Sequence, residues 1–378
     1  MSKIATALIA IGLIGVILAY LFDTTRASFN GLVMLMFVTS IGAGSVFLIA
    51  IEYLGGAVWS TPFRRVSEFL GAVVFLLPLL ALPVYLNLHS IFEWTHLEVV
   101  EADKILSGKS AYLNPTFFTV RVIIFFSIWI LFYLILTRNS KKQDSNGDQN
   151  LTKINIKVSA IFIPFFGLTL TFAAIDWIMS LEPHWFSTIF GVYYFSGTML
   201  AALSFATILI VYLNEKGYFV KGISKDNYYS LGALLFAFVN FWAYIAFSQF
   251  LLIWYANLPE ETFWYLARWD GAWKYVTIST IFIHFLLPYI VLAPQPAKKD
   301  PKRLIVASVI ILFAHFLDIF WLVMPTFGKE SFAFGWIEIA FPILAVGLIL
   351  FVFVFKYKSE NLVPIRDPKL KRGLNFRL

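Results

Sequence analysis

Residues Gly31 to Ala57 read GLVMLMFVTSIGAGSVFLIAIEYLGGA, an unbroken run in which Glu52 is the single charged side chain. A run of that length can cross a bilayer as an α-helix, which needs about 20 apolar residues. Working outward from it in both directions, similar runs recur, and they predict ten spans. These are Ile4 to Phe22, Gly31 to Ala57, Val66 to Leu88, Phe117 to Thr137, Lys157 to Ser180, Phe186 to Leu213, Tyr228 to Leu258, Gly271 to Pro294, Arg303 to Pro325 and Phe334 to Tyr357. The chain of 378 residues is 60% hydrophobic and only 13% charged, against about 25% charged in a soluble domain. A soluble globule is excluded, and continuous rather than alternating apolar segments exclude a transmembrane barrel. The predicted fold is an all-α integral membrane protein, one polytopic domain over residues 1–378. It has a solvated cytoplasmic linker at 138–156 and a basic cytoplasmic tail at 358–378.

The basic residues set the orientation. With both termini cytoplasmic, the inner segments hold 22 of the 29 lysines and arginines, among them Arg64, Arg65, Lys141, Lys142, Lys298 and Lys299. Arg26, Lys104, Lys109, Arg121, Arg268, Lys274 and Lys329 fall outside, and every inner segment is basic, as positive-inside bias demands. The net charge of +7 is therefore a topology signal and not a nucleic-acid footprint. The first span resembles a signal peptide, but it exceeds a usual h-region and no small-x-small site precedes Asp23, Thr24 and Thr25, so a retained helix is expected. There is no cysteine. The chain itself can hold no disulfide, no thiolate-ligated iron-sulfur cluster and no covalently attached c-type haem.

Two outer loops stand out. His89 to Thr116 carries Glu93, Glu98, Glu101 and Asp103 against two lysines, an acidic surface long enough to dock something. Trp254-Tyr255-Ala256-Asn257-Leu258-Pro259-Glu260-Glu261 leads into Phe263, Trp264, Tyr265, Trp269 and Trp273, with Asn257 and Glu260 spaced as a helix N-cap and its N3 partner. This segment reads equally as an interfacial aromatic belt on a short surface helix or as a docking surface.

Candidate chemistry lies in the ionisable residues inside the spans, each of which costs roughly 2.5–3.5 kcal/mol or more at the bilayer centre. Counted from the predicted outer ends, Asp176 and Glu338 lie roughly 6 Å deep, Asp318 about 10 Å, His315 about 15 Å and His284 about 20 Å. Glu52 and Glu68 lie within about 8 Å of the inner ends. By depth these seven form a ladder that could pass protons. His315 and Asp318, at i, i+3, share a helix face where an acid can hold an imidazole; the plain alternative is a buried histidine satisfied by its neighbour. His284 and His315 reach the minimum geometry for bis-histidine haem ligation, but a single aligned pair is weak support, and no haem is expected. Glu52 and Glu68 read also as interfacial acids, Glu68 beside Arg64 and Arg65. Gly42, Gly44, Gly55 and Gly56 suit close helix packing, and Pro78, Pro83 and Pro164 suit kinks.

Three stretches carry a resemblance. Asp176-Trp177-Ile178-Met179-Ser180-Leu181-Glu182-Pro183-His184-Trp185-Phe186-Ser187-Thr188-Ile189-Phe190-Gly191, the run Ala111-Tyr112-Leu113-Asn114-Pro115 leading through Phe117-Phe118 to Arg121, and Trp254 to Thr262 resemble the membrane subunits of bacterial alternative complex III, of the polysulfide-reductase membrane-subunit type. The resemblance spans most of the chain and is nearer to the F-type than to the C-type subunit. It implies two four-helix bundles with flanking helices in the bacterial cytoplasmic membrane, within a respiratory quinol:electron acceptor oxidoreductase. The implied partners are a homologous C-type quinol-binding subunit, a periplasmic iron-sulfur subunit, c-type cytochromes and a terminal oxidase. Menaquinol or ubiquinol is the implied substrate of the complex. No cofactor is expected on this chain, whose implied contribution is a proton path and a quinone-facing cavity. A stand-alone proton-coupled transporter and a purely structural anchor of the same complex remain as alternative readings.

Overall fold

The computed structural model describes residues 1–328 and 332–378; Lys329, counted above among the outer basic residues, lies outside them. Ten helices are long and apolar enough to cross a membrane: α1 Ser2–Phe22, α2 Thr24–Leu54, α3 Thr61–Leu86, α4 Pro115–Asn146, α5 Asn150–Leu181, α6 Phe190–Glu215, α7 Lys225–Ala256, α8 Trp273–Leu292, α9 Pro301–Phe327 and α10 Trp336–Ser359. No strand occurs among the described residues. The chain is an all-α, multi-pass membrane protein, and an even number of crossings puts both termini on one face.

Local chemistry sets the helix ends. Asp23 separates α1 from α2 and accepts a hydrogen bond from the Arg26 backbone N–H. Asn114 caps α4 with Pro115 behind it, Ser224 and Asn227 form a capping box on α7, and Asp300 caps α9 ahead of Pro301; each side chain meets an amide that the helix leaves unpaired. The expected cap at Asn257 is corrected. Asn257 ends α7 in the left-handed region (φ 49°), and the surface helix Pro259–Ala267 starts from Leu258 with no side-chain cap. Asparagine tolerates positive φ, and Pro259 is already shaped for a first helical turn.

Helices α2 to α5 form one four-helix bundle and α6 to α9 a second. The bundles join where α2 packs on α6 and α9, and where α5 packs on α6. As a result α2 is buried along its whole apolar window. Gly44 permits the approach of α2 to α6, since a Cβ there would stand 3.1 Å from the Thr198 carbonyl oxygen. Helices α1 and α10 pack on each other outside the bundles, against α2.

Two segments outside the predicted spans are more ordered than their composition suggests. The solvated linker at 138–156 is mostly helix: α4 runs on to Asn146, Gly147 ends it at φ 69°, and α5 starts at Asn150. Beyond the membrane, Thr137, Ser140 and Gln143 turn inward at i, i+3 spacing while Lys142 stays in solvent, an amphipathic period that charge content alone conceals. The basic tail is a strap across the same face. Asp367 is buried in an ion pair with Arg64, and Arg366 donates to the Ser145 carbonyl. Farther along, the carbonyls of Gly373 and Phe376 accept from Asn227 and Ser224 at the start of α7.

Candidate functional site

A polar cluster lies at the junction of α2, α6, α7, α8 and α9. Asp318, in α9 and 2% exposed, accepts from Tyr193 Oη at 2.5 Å and from Trp242 Nε1 at 3.2 Å. His284 Nδ1 stands 3.8 Å from its second oxygen. The expected pairing of Asp318 with His315 is therefore corrected. His315 Nε2 lies 2.9 Å from Ser40 Oγ on α2, and its neighbour on the same helix face is bonded across the bundle instead. An i, i+3 spacing brings two residues to one face, but their side chains follow the donors that neighbouring helices present.

Each member is held in place. The His315 ring lies against Gly197 of α6, where a Cβ would come within 2.6 Å of Nδ1 and Cε1. Tyr194 Oη, 3.0 Å from Ser40 Oγ, donates to the Met36 carbonyl at 2.7 Å. His284 occupies a π-helical turn, Phe282–Leu286. Pro288 follows it by four residues and has no N–H to give the His284 carbonyl, which accounts for the widened turn. The His284 ring lies 3.9 Å from the Trp242 ring and 6.1 Å from that of His315, centroid to centroid. Among the described residues, neither ring nitrogen of His284 has a hydrogen-bond partner, nor has His315 Nδ1. The cluster thus brings together one fully buried carboxyl, a phenol and two imidazoles with three uncommitted nitrogens, groups able to take up, hold and pass a proton.

The other candidates sit elsewhere. Asp176 is clasped by Arg121, with Nε to Oδ2 at 2.6 Å and Nη2 to Oδ1 at 3.1 Å, and by Tyr112 Oη at 2.9 Å. This joins two of the three stretches that carry the resemblance. Glu338 is clasped by Arg26 at 2.6 and 2.8 Å, by Asn30 at 3.0 Å and by the Gly335 amide at 2.7 Å. Neither acid shares a hydrogen bond with the Asp318 cluster. Glu52 and Glu68 belong to an ion-pair network on the face that holds both termini: Arg64 lies 3.5 Å from Glu52 and 3.6 Å from Glu68, and Arg65 bonds Glu68 at 2.7 Å and Asp144 at 2.5 Å. A polar cleft of about 490 Å³, lined by Arg65, Lys141, Asp144, Lys358 and Glu360 among others, opens beside this network. A second cleft, of about 460 Å³, lies between Phe22, Arg26 and Trp336. Neither is lined by a residue of the Asp318 cluster.

On the outer side, Trp185 stacks on Trp264 with centroids 4.4 Å apart and planes 12° apart, so part of the aromatic segment is packed inward while Trp254, Tyr255 and Trp269 stay exposed. Asp103 in the acidic loop lies 2.6 Å from His184 Nε2. The backbone amide of Leu106 and His184 hold its carboxyl below the usual aspartate range.

Sequence reasoning missed Tyr193, Trp242 and Ser40. Trp242 had a signal, since it lies mid-span and not at an interface where tryptophan collects. Tyr193 is one of 17 tyrosines, and nothing local distinguishes it. No protein-family model matches the chain, and no curated protein matches it.

Proposed function

We propose that this chain is a proton-handling membrane subunit of a quinol-oxidising respiratory complex of the alternative complex III type, with Asp318 as the titrating centre. The observation that carries the reading is Asp318 itself: a carboxyl buried within a membrane-spanning helix, hydrogen-bonded by a phenol and an indole with an imidazole 3.8 Å away, and with no lysine or arginine bonded to it among the described residues. An acid kept only to hold helices together is better served by a fixed cation, as Asp176 and Glu338 are. Asp318 is free to exist in two protonation states, and His284 and His315 beside it extend the exchange.

The inner approach runs through α2, α6 and α9. Ser45, Ser204 and Ser308, one on each of these mutually packed helices, are fully buried with hydroxyls that have no hydrogen-bond partner among the described residues. They lie about one and a half to two turns inward of Ser40, Gly197 and His315. Such hydroxyls suit chains of internal water, and they lead toward Glu52, whose Oε1 stands 3.5 Å from Arg64. The polar cleft above Arg65 and Glu68 serves as the cytoplasmic mouth. The family assignment, the partner subunits and the cytoplasmic-membrane location rest on the three sequence stretches described above.

Asp318→Asn keeps the size and removes the titration. In the purified complex it should assemble normally and lower quinol-dependent proton release by about tenfold or more. Wild-type turnover and proton release from an intact Asp318→Asn complex would leave the chain a structural anchor. Purification of the native protein without haem or iron-sulfur partners would point to a stand-alone transporter.

A further inference from the structure

Among the described residues, four arginines are almost wholly buried, and three of them face carboxylates: Arg64 and Arg65 in the ion-pair network with Glu52 and Glu68, Arg121 on Asp176. Arg268 differs. It lies on the outer side, between the surface helix Pro259–Ala267 and α8, and is 2% exposed. Its acceptors are neutral: Nε donates to the Trp321 carbonyl at 3.2 Å, Nη2 to the Leu322 carbonyl at 2.8 Å and Nη1 to the Trp264 carbonyl at 3.0 Å. The Trp321 carbonyl is available because Pro325, four residues on, has no N–H to offer it. The guanidinium also lies on the Trp264 ring, 3.4 Å from its centroid, and Trp185 stacks on that indole in turn. Glu182 is the acid that faces it, without forming an ion pair, along with Tyr265 and Tyr193. Burial pushes the guanidinium down to about 9, so at neutral pH it keeps its charge.

The place of this charge matters. Trp321 and Leu322 follow Asp318 by three and four residues, which sets Arg268 about one turn, roughly 5 Å, outward of the carboxyl along α9. Tyr193, the short hydrogen-bond donor to Asp318, lies within its field. We propose that Arg268 is the fixed positive charge that closes the outer end of the Asp318 site against protons, so that the site exchanges with the cytoplasmic side and does not leak through the membrane. This rests on the proton-handling reading of Asp318. A proton moving outward from Asp318 or Tyr193 would have to approach, in a low-dielectric surrounding, a cation to which no carboxylate is bonded among the described residues, and repulsion there is far stronger than in water. The same device, an arginine in a narrow polar path, excludes protons and cations in membrane channels. The stack and the carbonyl contacts hold the charge still without neutralising it, and Glu182, the acid that faces it, forms no ion pair with it.

The test is passive proton permeability of proteoliposomes containing the protein as purified from its membrane, followed with an internal pH-sensitive dye after an external acid pulse and without turnover. Arg268→Gln should raise permeability several-fold, Arg268→Lys should stay at the wild-type level, and adding Asp318→Asn to Arg268→Gln should abolish the leak. Should Arg268→Gln not assemble, Arg268→Gln with Pro325→Ala restores a backbone donor to the Trp321 carbonyl, so that the proline break no longer depends on residue 268. Vesicles of the neutral variant as tight as wild type would overturn the barrier, as would a lysine variant that leaks like the glutamine one, since both would reduce Arg268 to a repair of the proline break. A leak that persists unchanged in the double variant with Asp318→Asn would uphold the barrier and refute the route through Asp318.

Discussion

Asp318 and Asp176 are both aspartates buried within membrane helices, and their partners give them opposite characters. Asp176 is bound on both oxygens by Arg121 and capped by Tyr112. Replacing it with alanine leaves Arg121, 6% exposed, without its counter-ion. Breaking a buried pair in this way costs about 3–5 kcal/mol, so Asp176→Ala should lower the thermal unfolding temperature in detergent sharply; an unshifted transition would contradict the clasp. Asp318 has no such cation among the described residues, and its closest donor is Tyr193. Tyr193→Phe removes that bond at nearly constant volume and should cost about 1–3 kcal/mol while slowing proton release. Gly197 supplies an independent check on His315. Because an added Cβ would press on the imidazole, Gly197→Ala should reproduce the functional loss of His315→Ala without opening a cavity, as read by turnover of the assembled complex.

At the scale of single elements, the outer loop is tied down by Asp103, which accepts the amides of Ile105 and Leu106 and meets His184. The Leu106 amide and His184 depress the folded-state pKa of Asp103 below the usual aspartate range. The stabilisation is then complete above the unfolded value and is lost as pH falls through the lower, folded one. A spin label at Ser107→Cys should report an immobile loop at neutral pH and a mobile one only in stronger acid, once the pH has fallen through the depressed folded-state value. Asp103→Asn should show the mobile spectrum already at pH 7, and an immobile spectrum there would mean that other contacts hold the loop. The α4–α5 connection carries a related lesson. A segment of lysines, Gln143, Asp144 and Ser145 resembles solvated linker in composition, yet Asp144 is the partner of the buried Arg65. Helical phase, which charge content does not report, decides which of those side chains turn inward.

Across the whole molecule, ten spans and the distribution of lysine and arginine put the α4–α5 turn, both termini and the strap after α10 on one face. Ser145 lies exposed on that face, and the native chain has no competing cysteine. An impermeant thiol reagent should therefore label Ser145→Cys in inverted vesicles and not in intact spheroplasts; labelling in spheroplasts would invert the topology. The number of spans, their order and the basic face follow from the sequence by itself, because the cost of leaving backbone polar groups unpaired in lipid forces each long apolar run into a helix. The rarity of intramembrane charge likewise singled out Asp318, His315 and His284 as candidates. The grouping was decided by tertiary structure alone. In a membrane, lipid and protein interior are equally apolar, so a helix such as α2, buried on every side, carries no apolar face that shows which neighbours it meets. Helical spacing put His315 beside Asp318 on one helix, whereas the partners actually bonded, Ser40, Tyr193 and Trp242, come from three other helices. Those partners are uncharged and mark no cost in the sequence; only the packing of α2, α6 and α7 against α9 gives them a role.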